Sequence, residues 1–261
     1  MSSALSRLAA IAEAAASTAR HATPELIEEK SLQDFVTDID RRLQHEIGAS
    51  LRQVFPDVPA FGEEGIAADL HLPDKAFLID PLDGTGNWIA GLCFSAVSIA
   101  YLEHGKTVLA AVADIFGGEV YTAEAGKGAW RDGVGLRMPT GPSALIALSS
   151  GVLDAVVGRD DFPALRRFGK LRNLGSQALQ LCAVARGSLA LNASLEARLW
   201  DDAAGRLIAT EAGAIYRAHV PVEDRGRPVA RQRSLCAHPA VFEGAAAILE
   251  RVFLSNTNGT D

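Results

Sequence analysis

Histidine, cysteine, basic charge and long apolar runs are what this chain has little of, and each shortage excludes something. Its six histidines are scattered and its three cysteines, Cys93, Cys182 and Cys236, stand far apart among small or apolar residues. That pattern suits reduced core thiols in a cytosol rather than a disulfide framework, and no zinc-ligand spacing occurs. No stretch reaches the ~20 apolar residues of a membrane span. Asp and Glu number 32 against 25 Lys and Arg, for a net charge of -7. No basic field is present to hold nucleic acid or anionic lipid without specificity. The expectations are a small-molecule ligand, no membrane, no nucleic acid as direct ligand, and a cytoplasmic location.

What is present is apolar bulk. With 261 residues, 48% of them hydrophobic, the chain has enough to bury one large core or two closely packed lobes. Leu5, Leu8, Ala12 and Ala15 repeat at helical spacing and Glu13 interrupts them, so residues 4–20 read as an amphipathic core helix rather than a signal peptide. A second helical segment ends near Val54. An acidic loop, GEEG at 62–65, and a strand at 76–79 follow. Residues 96–130 alternate β-prone runs with turns at 103–106 and 116–119, an antiparallel meander.

From residue 144 onward, strands at 144–149, 171–174, 189–192, 214–216 and 234–236 alternate with helices at 162–168, 176–186, 202–212 and 239–253. Pro139, Gly141 and Pro142 break regular structure over 137–143. The break divides an expected N-terminal α+β lobe, 1–138, from a C-terminal α/β lobe, 139–261. The polar tail from Ser255 is expected to fray.

Three acidic clusters stand at element ends beside apolar sequence: Glu63 and Glu64, Asp80 and Asp83, Asp201 and Asp202. Each alone has a plain explanation, as a solvated loop, a pair of turn formers, and the N-cap of helix 202–212. Brought together, such carboxylates repel strongly and persist only if cations neutralise them. Donors that are all oxygen favour Mg²⁺ over zinc. Two divalent ions would balance Glu63, Asp80, Asp83 and Asp201, and a third would balance a dianionic phosphate. Phosphate-ester chemistry is the obvious use.

Five segments in order carry a resemblance: DFVTDID at 34–40, GEEG at 62–65, DPLDGTGN at 80–87, LGS at 174–176 and WDDAAG at 200–205. With these the chain resembles the inositol monophosphatase family, Mg²⁺-dependent phosphomonoesterases. The resemblance implies a layered αβαβα sugar-phosphatase fold, with an antiparallel N-terminal sheet and a mixed C-terminal one. It implies that Glu63, Asp80 and the Leu82 carbonyl hold one Mg²⁺, that Asp80, Asp83 and Asp201 hold a second, and that a third binds weakly beside Glu63. Such a division suits two-metal hydrolysis, in which one ion activates water and the other stabilises the leaving oxygen.

Asp40 and Thr85 resemble the family's pair that orients and deprotonates the attacking water, with Glu63 beside them. Asp83, Gly84, Thr85, Gly175 and Ser176 match positions that meet the substrate, and Glu196 is expected to reach it by a different path. Glu64 and Lys30 stand behind the metal ligands, with Lys30 balancing charge. Family likeness also implies a homodimer and sensitivity to Li⁺. Asp40 and Thr85 equally suit a charge at a helix N-terminus and a turn hydroxyl, and Gly175 and Ser176 an ordinary turn and N-cap.

The substrate loop departs from the family. Inositol-cleaving members usually carry a glutamate six residues before the WD tryptophan. Here Ser194 stands there and Glu196 lies four before Trp200, so the loop is two residues short. Arg198 offers a cation to a second anionic group, although Glu196 and Arg198 both also read as solvated loop charges. Candidate substrates are inositol phosphate, histidinol phosphate, fructose 1,6-bisphosphate or another sugar phosphate, and 3'-phosphoadenosine 5'-phosphate. A regulatory role, binding the transcription machinery, is the alternative of another class.

Two other readings fail. A dinucleotide-binding loop at 84–91 leaves too few residues for a βαβ unit of ~30. A phospho-aspartate at Asp38 meets Arg42 where threonine or valine is needed.

Overall fold

The computed structural model describes residues 1–31 and 34–255. The fray expected of the tail lies outside them, apart from Ser255, which closes the last helix. Helix α1 (Ser3–His21) buries Leu5, Leu8, Ala12 and Ala15, the apolar repeat read in the sequence. A hairpin of the exposed β1 (Ile27–Ser31) and the half-buried β2 (Asp34–Thr37) follows, which the helical reading missed because polar side chains dominate β1. Thr37 then starts α2 (Asp38–Val54) through a capping box with Asp40.

The larger sheet holds β3 (Ala60–Gly62), β4 (Lys75–Asp83), β5 (Ala96–Glu103), β6 (Lys106–Asp114), β7 (Val120–Glu124), β8 (Gly128–Arg131) and β9 (Val134–Leu136), paired in that order. Every pairing is antiparallel except β3 with β4. Between β4 and β5 lies the short helix α3 (Thr85–Ile89).

The second sheet is built from β10 (Leu145–Leu148), β11 (Lys170–Arg172), β12 (Leu191–Ser194), β13 (Ile215–Ala218) and β14 (Ser234–Ala237). Its order is β11-β10-β12-β14-β13, parallel around β10 and antiparallel around β14, so it is mixed. Its helices are α4 (Ser150–Val156), α5 (Asp161–Leu165), α6 (Gln177–Ala185), α7 (Leu199–Ala212) and α8 (Pro239–Ser255). The sequence reading missed α4. It also merged α5 with the 3-10 turn Arg166–Phe168, and started α7 three residues late.

Three apolar clusters give the layering. One joins α1 and α2 to the larger sheet, one places α6 and α7 between the two sheets, and one joins α4, α5 and α8 to the far face of the second sheet. The result is the αβαβα arrangement. Cys182 and Cys236 are buried as expected of core thiols, whereas Cys93 is exposed. Among the described residues no helix is long and apolar enough to cross a membrane.

The middle layer explains the glycine of WDDAAG. At Gly205 a Cβ would stand 2.7 Å from Leu181 Cβ and 3.3 Å from the Ala178 carbonyl oxygen. Alanine normally stabilises a helix interior by ~1 kcal/mol over glycine, but overpacking a dense interface costs ~1–3 kcal/mol. Gly205→Ala is therefore expected to lose about 1 kcal/mol of stability in urea denaturation. A stabilised variant would show that α6 and α7 part without strain.

Candidate active site

The site forms where ends of the two sheets and their helices meet, and local geometry explains how each acid gets there. In a regular strand Asp80 and Asp83, three apart, would face opposite sides. Asp80 pairs with Ser98 and Asp83 with Ala96, so β4 spends three residues where β5 spends two. One residue is inserted, a bulge that restores both carboxylates to one side. Pro81, with no N–H to lose from the ladder, stands in it. Both acids are buried, and Asp80 Oδ1 accepts from the Leu82 N–H at 3.0 Å.

Asp201 arrives on α7. It is the third residue of the helix, with Arg198 at the N-cap position, so the expectation that it would itself be the N-cap is corrected. Its Oδ2 accepts from the Arg198 N–H at 2.7 Å. Glu63 follows β3. Donor oxygens of Glu63, Asp80 and Asp201 all lie within 4.8 Å of one another.

Asp83 stands beside this trio but faces α6. It accepts from Ser176 Oγ at 2.5 Å, the Ala178 N–H at 2.7 Å and the Gln177 N–H at 3.2 Å. Ser176 is fully buried and its proton is committed to Asp83. Its Oγ also accepts from the Leu179 N–H at 3.4 Å, the N-cap role that the sequence offered beside substrate contact.

Burial drives the electrostatics. It raises the Asp80 and Asp201 pKa values well above the usual carboxylate range, and the neighbouring acids push them further. Asp83 is pushed up to about 6 by burial, against the pull of its three hydrogen bonds. Glu63 keeps 26% of its side chain in solvent, yet burial still pushes it up to about 7, opposed by Lys30. Lys30 donates to Glu63 at 2.7 Å and Glu64 at 2.6 Å. Burial works against its charge, but the two glutamates outweigh that and hold its pKa above the ordinary value. Among the described residues, Lys30 is the one cation in ion-pair contact with the trio. Three converging carboxylates with a carbonyl nearby and no thiolate or imidazole are a donor set that fits a hard divalent cation.

Thr85 and Asp40 are together as well. Thr85 Oγ1 lies 3.0 Å from Asp40 Oδ1 and 2.9 Å from the Leu82 carbonyl oxygen, two acceptors for one proton. Asp40 is fixed by the Thr37 N–H at 2.8 Å and the Thr37 hydroxyl at 2.5 Å. Asp38, the rejected nucleophile, accepts from the Glu25 and Leu26 N–H groups instead.

Gly84 has φ +85°, and a Cβ there would stand 2.9 Å from the Gly175 carbonyl oxygen. That close approach, not only access for a phosphate, explains the glycine. Glu196 is exposed and accepts from the Gly151 N–H at 2.5 Å. It shares a cavity of about 270 Å³ with Asp83, Gly175, Ser194 and Asp201.

Sequence reasoning missed several residues. Gln44 clasps Glu64 by both backbone groups, at 2.9 and 2.7 Å, and a Cβ on Gly62 would collide with it. Its signal was legible: it lies one turn after Asp40 on the same face of α2. Gln177 donates through Nε2 to the fully buried Asp202 at 2.6 Å while its N–H serves Asp83, and Tyr216 donates to Asp202 at 2.6 Å. No sequence pattern marks those links, because they join separate elements.

A family model described as the inositol monophosphatase family matches residues 1–253. The chain belongs to the inositol monophosphatase family. By that membership it is a phosphoric monoester hydrolase. It is 36% identical over 203 residues to inositol monophosphatase 2 of Solanum lycopersicum, covering 72% of this chain and 76% of the relative. It is 34% identical over 211 residues to the Nus factor SuhB of Escherichia coli K12, covering 74% and 76%. Among solved structures, the Thermotoga maritima IMPase TM1415 superposes with a TM-score of 0.80 at 25% identity, covering 95% of this chain and 96% of that one.

For this family member the raised carboxyl pKa values set a linkage. Without metal, the folded site holds protons that the unfolded chain releases near pH 4, so this contribution to stability is complete below that pH. It is lost as pH rises toward the value of about 7 at Glu63. Divalent cations need the deprotonated groups. The rise in thermal midpoint on replacing EDTA by saturating Mg²⁺ is therefore expected to be larger at pH 8 than at pH 5. An equal shift at both pH values, or none at either, would contradict the linkage.

Proposed function

We propose that the protein hydrolyses a small phosphomonoester, an inositol phosphate or related sugar or polyol phosphate, with two to three Mg²⁺ ions. The observation that carries this reading is the convergence of Glu63, Asp80 and Asp201 within 4.8 Å, with the Thr85–Asp40 pair alongside. Glu63, Asp80 and the Leu82 carbonyl would hold one ion, Asp80, Asp83 and Asp201 another, and Glu63 would border a third. Bound there, Mg²⁺ supplies Lewis-acid chemistry: it activates water and neutralises charge on the leaving oxygen.

The chain's own groups aim the water. Thr85 has one hydroxyl proton and two acceptors. Were the Leu82 carbonyl to serve as a metal ligand, Thr85 would donate its one hydrogen bond to Asp40 instead. Thr85 is left to accept a hydrogen bond from the attacking water, and Asp40, fixed by Thr37, takes up the released proton through it. The N–H groups of Gly84 and Thr85, at the start of α3, lie where a helix's first donors have no internal partner and suit phosphate oxygens. Gly175 and Glu196 border the substrate, while Glu64 and Lys30 temper the charge at Glu63.

The division into lobes at 138/139, read from the break over 137–143, and a cytoplasmic location, read from the scattered cysteines, belong to the same proposal, as do a homodimer and inhibition by Li⁺ on family likeness. A second reading, association with the transcription machinery, draws its support from the likeness to a protein named Nus factor SuhB. A macromolecular partner copurifying equally with wild type and Asp80→Asn in EDTA would favour it.

The direct test is phosphate release from inositol 1-phosphate, histidinol phosphate, fructose 1,6-bisphosphate and 3'-phosphoadenosine 5'-phosphate, with Mg²⁺ and with EDTA. Mg²⁺-dependent release from at least one is expected, and Asp83→Asn is expected to abolish it. Thr85→Ala and Asp40→Asn should each lower kcat by ~10²–10⁴-fold, the range of general acid-base catalysis. The double variant should be little worse than either, since the two residues act as one unit. Full turnover in either single variant would remove the pair from the mechanism.

A further inference from the structure

A cavity of about 780 Å³ lies not among the carboxylates but next to them. Among the described residues, four arginines line it, Arg198, Arg227, Arg231 and Arg233, against two carboxylates, Glu196 and Asp224. In a chain of net charge -7 this is a locally positive space. It adjoins the smaller cavity of Asp83 and Asp201, because Glu196 lines both.

Its wall is tied directly to the site. Ser194 Oγ accepts from the N–H groups of Glu196 and Ala197 at 3.2 and 3.1 Å, closing the substrate loop on itself. The segment after β13 is bonded onto that loop, the Gln232 N–H to the Ala197 carbonyl at 2.7 Å and the Leu199 N–H to the Pro228 carbonyl at 3.1 Å. Arg198 spans the two spaces: its N–H donates to Asp201 while Nη1 donates to the Val229 carbonyl at 2.6 Å.

The arginines differ in their commitments. Arg227 is pinned by the Ala68 carbonyl and Asp224. Arg233 is half-buried, and among the described residues no hydrogen bond or ion pair reaches its guanidinium. Its backbone has φ +39°, a left-handed conformation unfavourable for a side chain of its size. A strained residue that presents an unpaired guanidinium to a cavity is suited to an anion, since the planar fork matches phosphate oxygens in pairs.

We propose that this cavity binds a second phosphate of the substrate, with Arg233 as a principal contact. Resting on the phosphatase reading above, this narrows the substrate class to a compact molecule with two phosphates. One phosphate lies at the Asp80 cluster and one lies among the arginines. Glu196, between them, faces the connecting hydroxyls as an acceptor. In the reaction the oxygen of water bonds to the first phosphorus and the P–O bond to the alcohol breaks. The alcohol leaves with one of the water's protons, and inorganic phosphate and a monophosphorylated alcohol are the products. The second phosphate is a handle and is not cleaved.

The test uses matched pairs: fructose 1,6-bisphosphate against fructose 1-phosphate, and 3'-phosphoadenosine 5'-phosphate against adenosine 3'-phosphate. Wild type is expected to favour the doubly phosphorylated member of at least one pair by about tenfold or more in kcat/KM, the scale of one charge-assisted contact. The pair that shows it distinguishes a sugar from a nucleotide. Arg233→Gly, which suits the left-handed backbone, should reduce that preference about tenfold, mainly through KM, and Arg233→Lys by less. A denaturation midpoint for Arg233→Gly reports that it is folded. Release from the monophosphates with no preference, or a preference that survives Arg233→Gly, overturns the inference alone. Release from none of the four compounds, with release from inositol 1-phosphate or histidinol phosphate, also overturns the inference alone, and release from none of the six overturns the phosphatase reading with it.

Discussion

Like charges held close where water is scarce are the constraint on which the rest of this structure depends. Asp80 and Asp83 are buried, and the half-buried Asp201 and Glu63 are drawn up beside them, an arrangement that destabilises any fold unless something offsets it. Helix starts supply part of the offset. Asp40 and Asp201 each sit in the first turn of a helix and accept from the N–H of its N-cap residue, and Asp83 accepts from the opening N–H groups of α6. Each acid thus lies at the positive end of a helix dipole and satisfies donors that would otherwise be orphaned. The plain explanation of these residues as caps and the chemical one are therefore the same geometry seen from two sides. Lys30 provides the remaining local compensation, and it reaches only the glutamates.

The legibility of the sequence follows from how far apart in the chain the interacting parts lie. DPLDGT was readable because its constraint is local: an inserted residue in one strand turns two acids the same way, and a glycine with positive φ follows. The α1 repeat and the meander were readable through their periods. The β1–β2 hairpin was not, since both faces of β1 are exposed and no alternation remains to see. Boundaries shifted where caps were unusual, as at α7, whose N-cap is an arginine. Ser176 looked like a substrate contact because an N-cap serine at a glycine turn has that appearance. Only the fold shows that Asp83 arrives from the other sheet to take its proton.

The arginine cavity was hardest to foresee. Arg198 alone carried a hint, as a cation near the substrate loop. The others come from a segment with proline and glycine punctuation and no period, and their meaning depends on two backbone hydrogen bonds that lay it against residues 197–199. Nonlocal contacts of that kind leave no trace in spacing.

Chemistry and selection therefore rest on different parts of the molecule. The acids are fixed by a sheet bulge and three helix starts, features that move only if the core moves, as the close crossing at Gly205 illustrates. The substrate loop is fixed by little more than Ser194, whose hydroxyl gathers the N–H groups of Glu196 and Ala197. Where the family pattern has a glutamate reaching outward, this chain has a small hydroxyl turned inward to close its own loop. The space beyond that loop is the one the arginines line. The carboxylate site beside them keeps its geometry because none of its supports passes through residues 194–196.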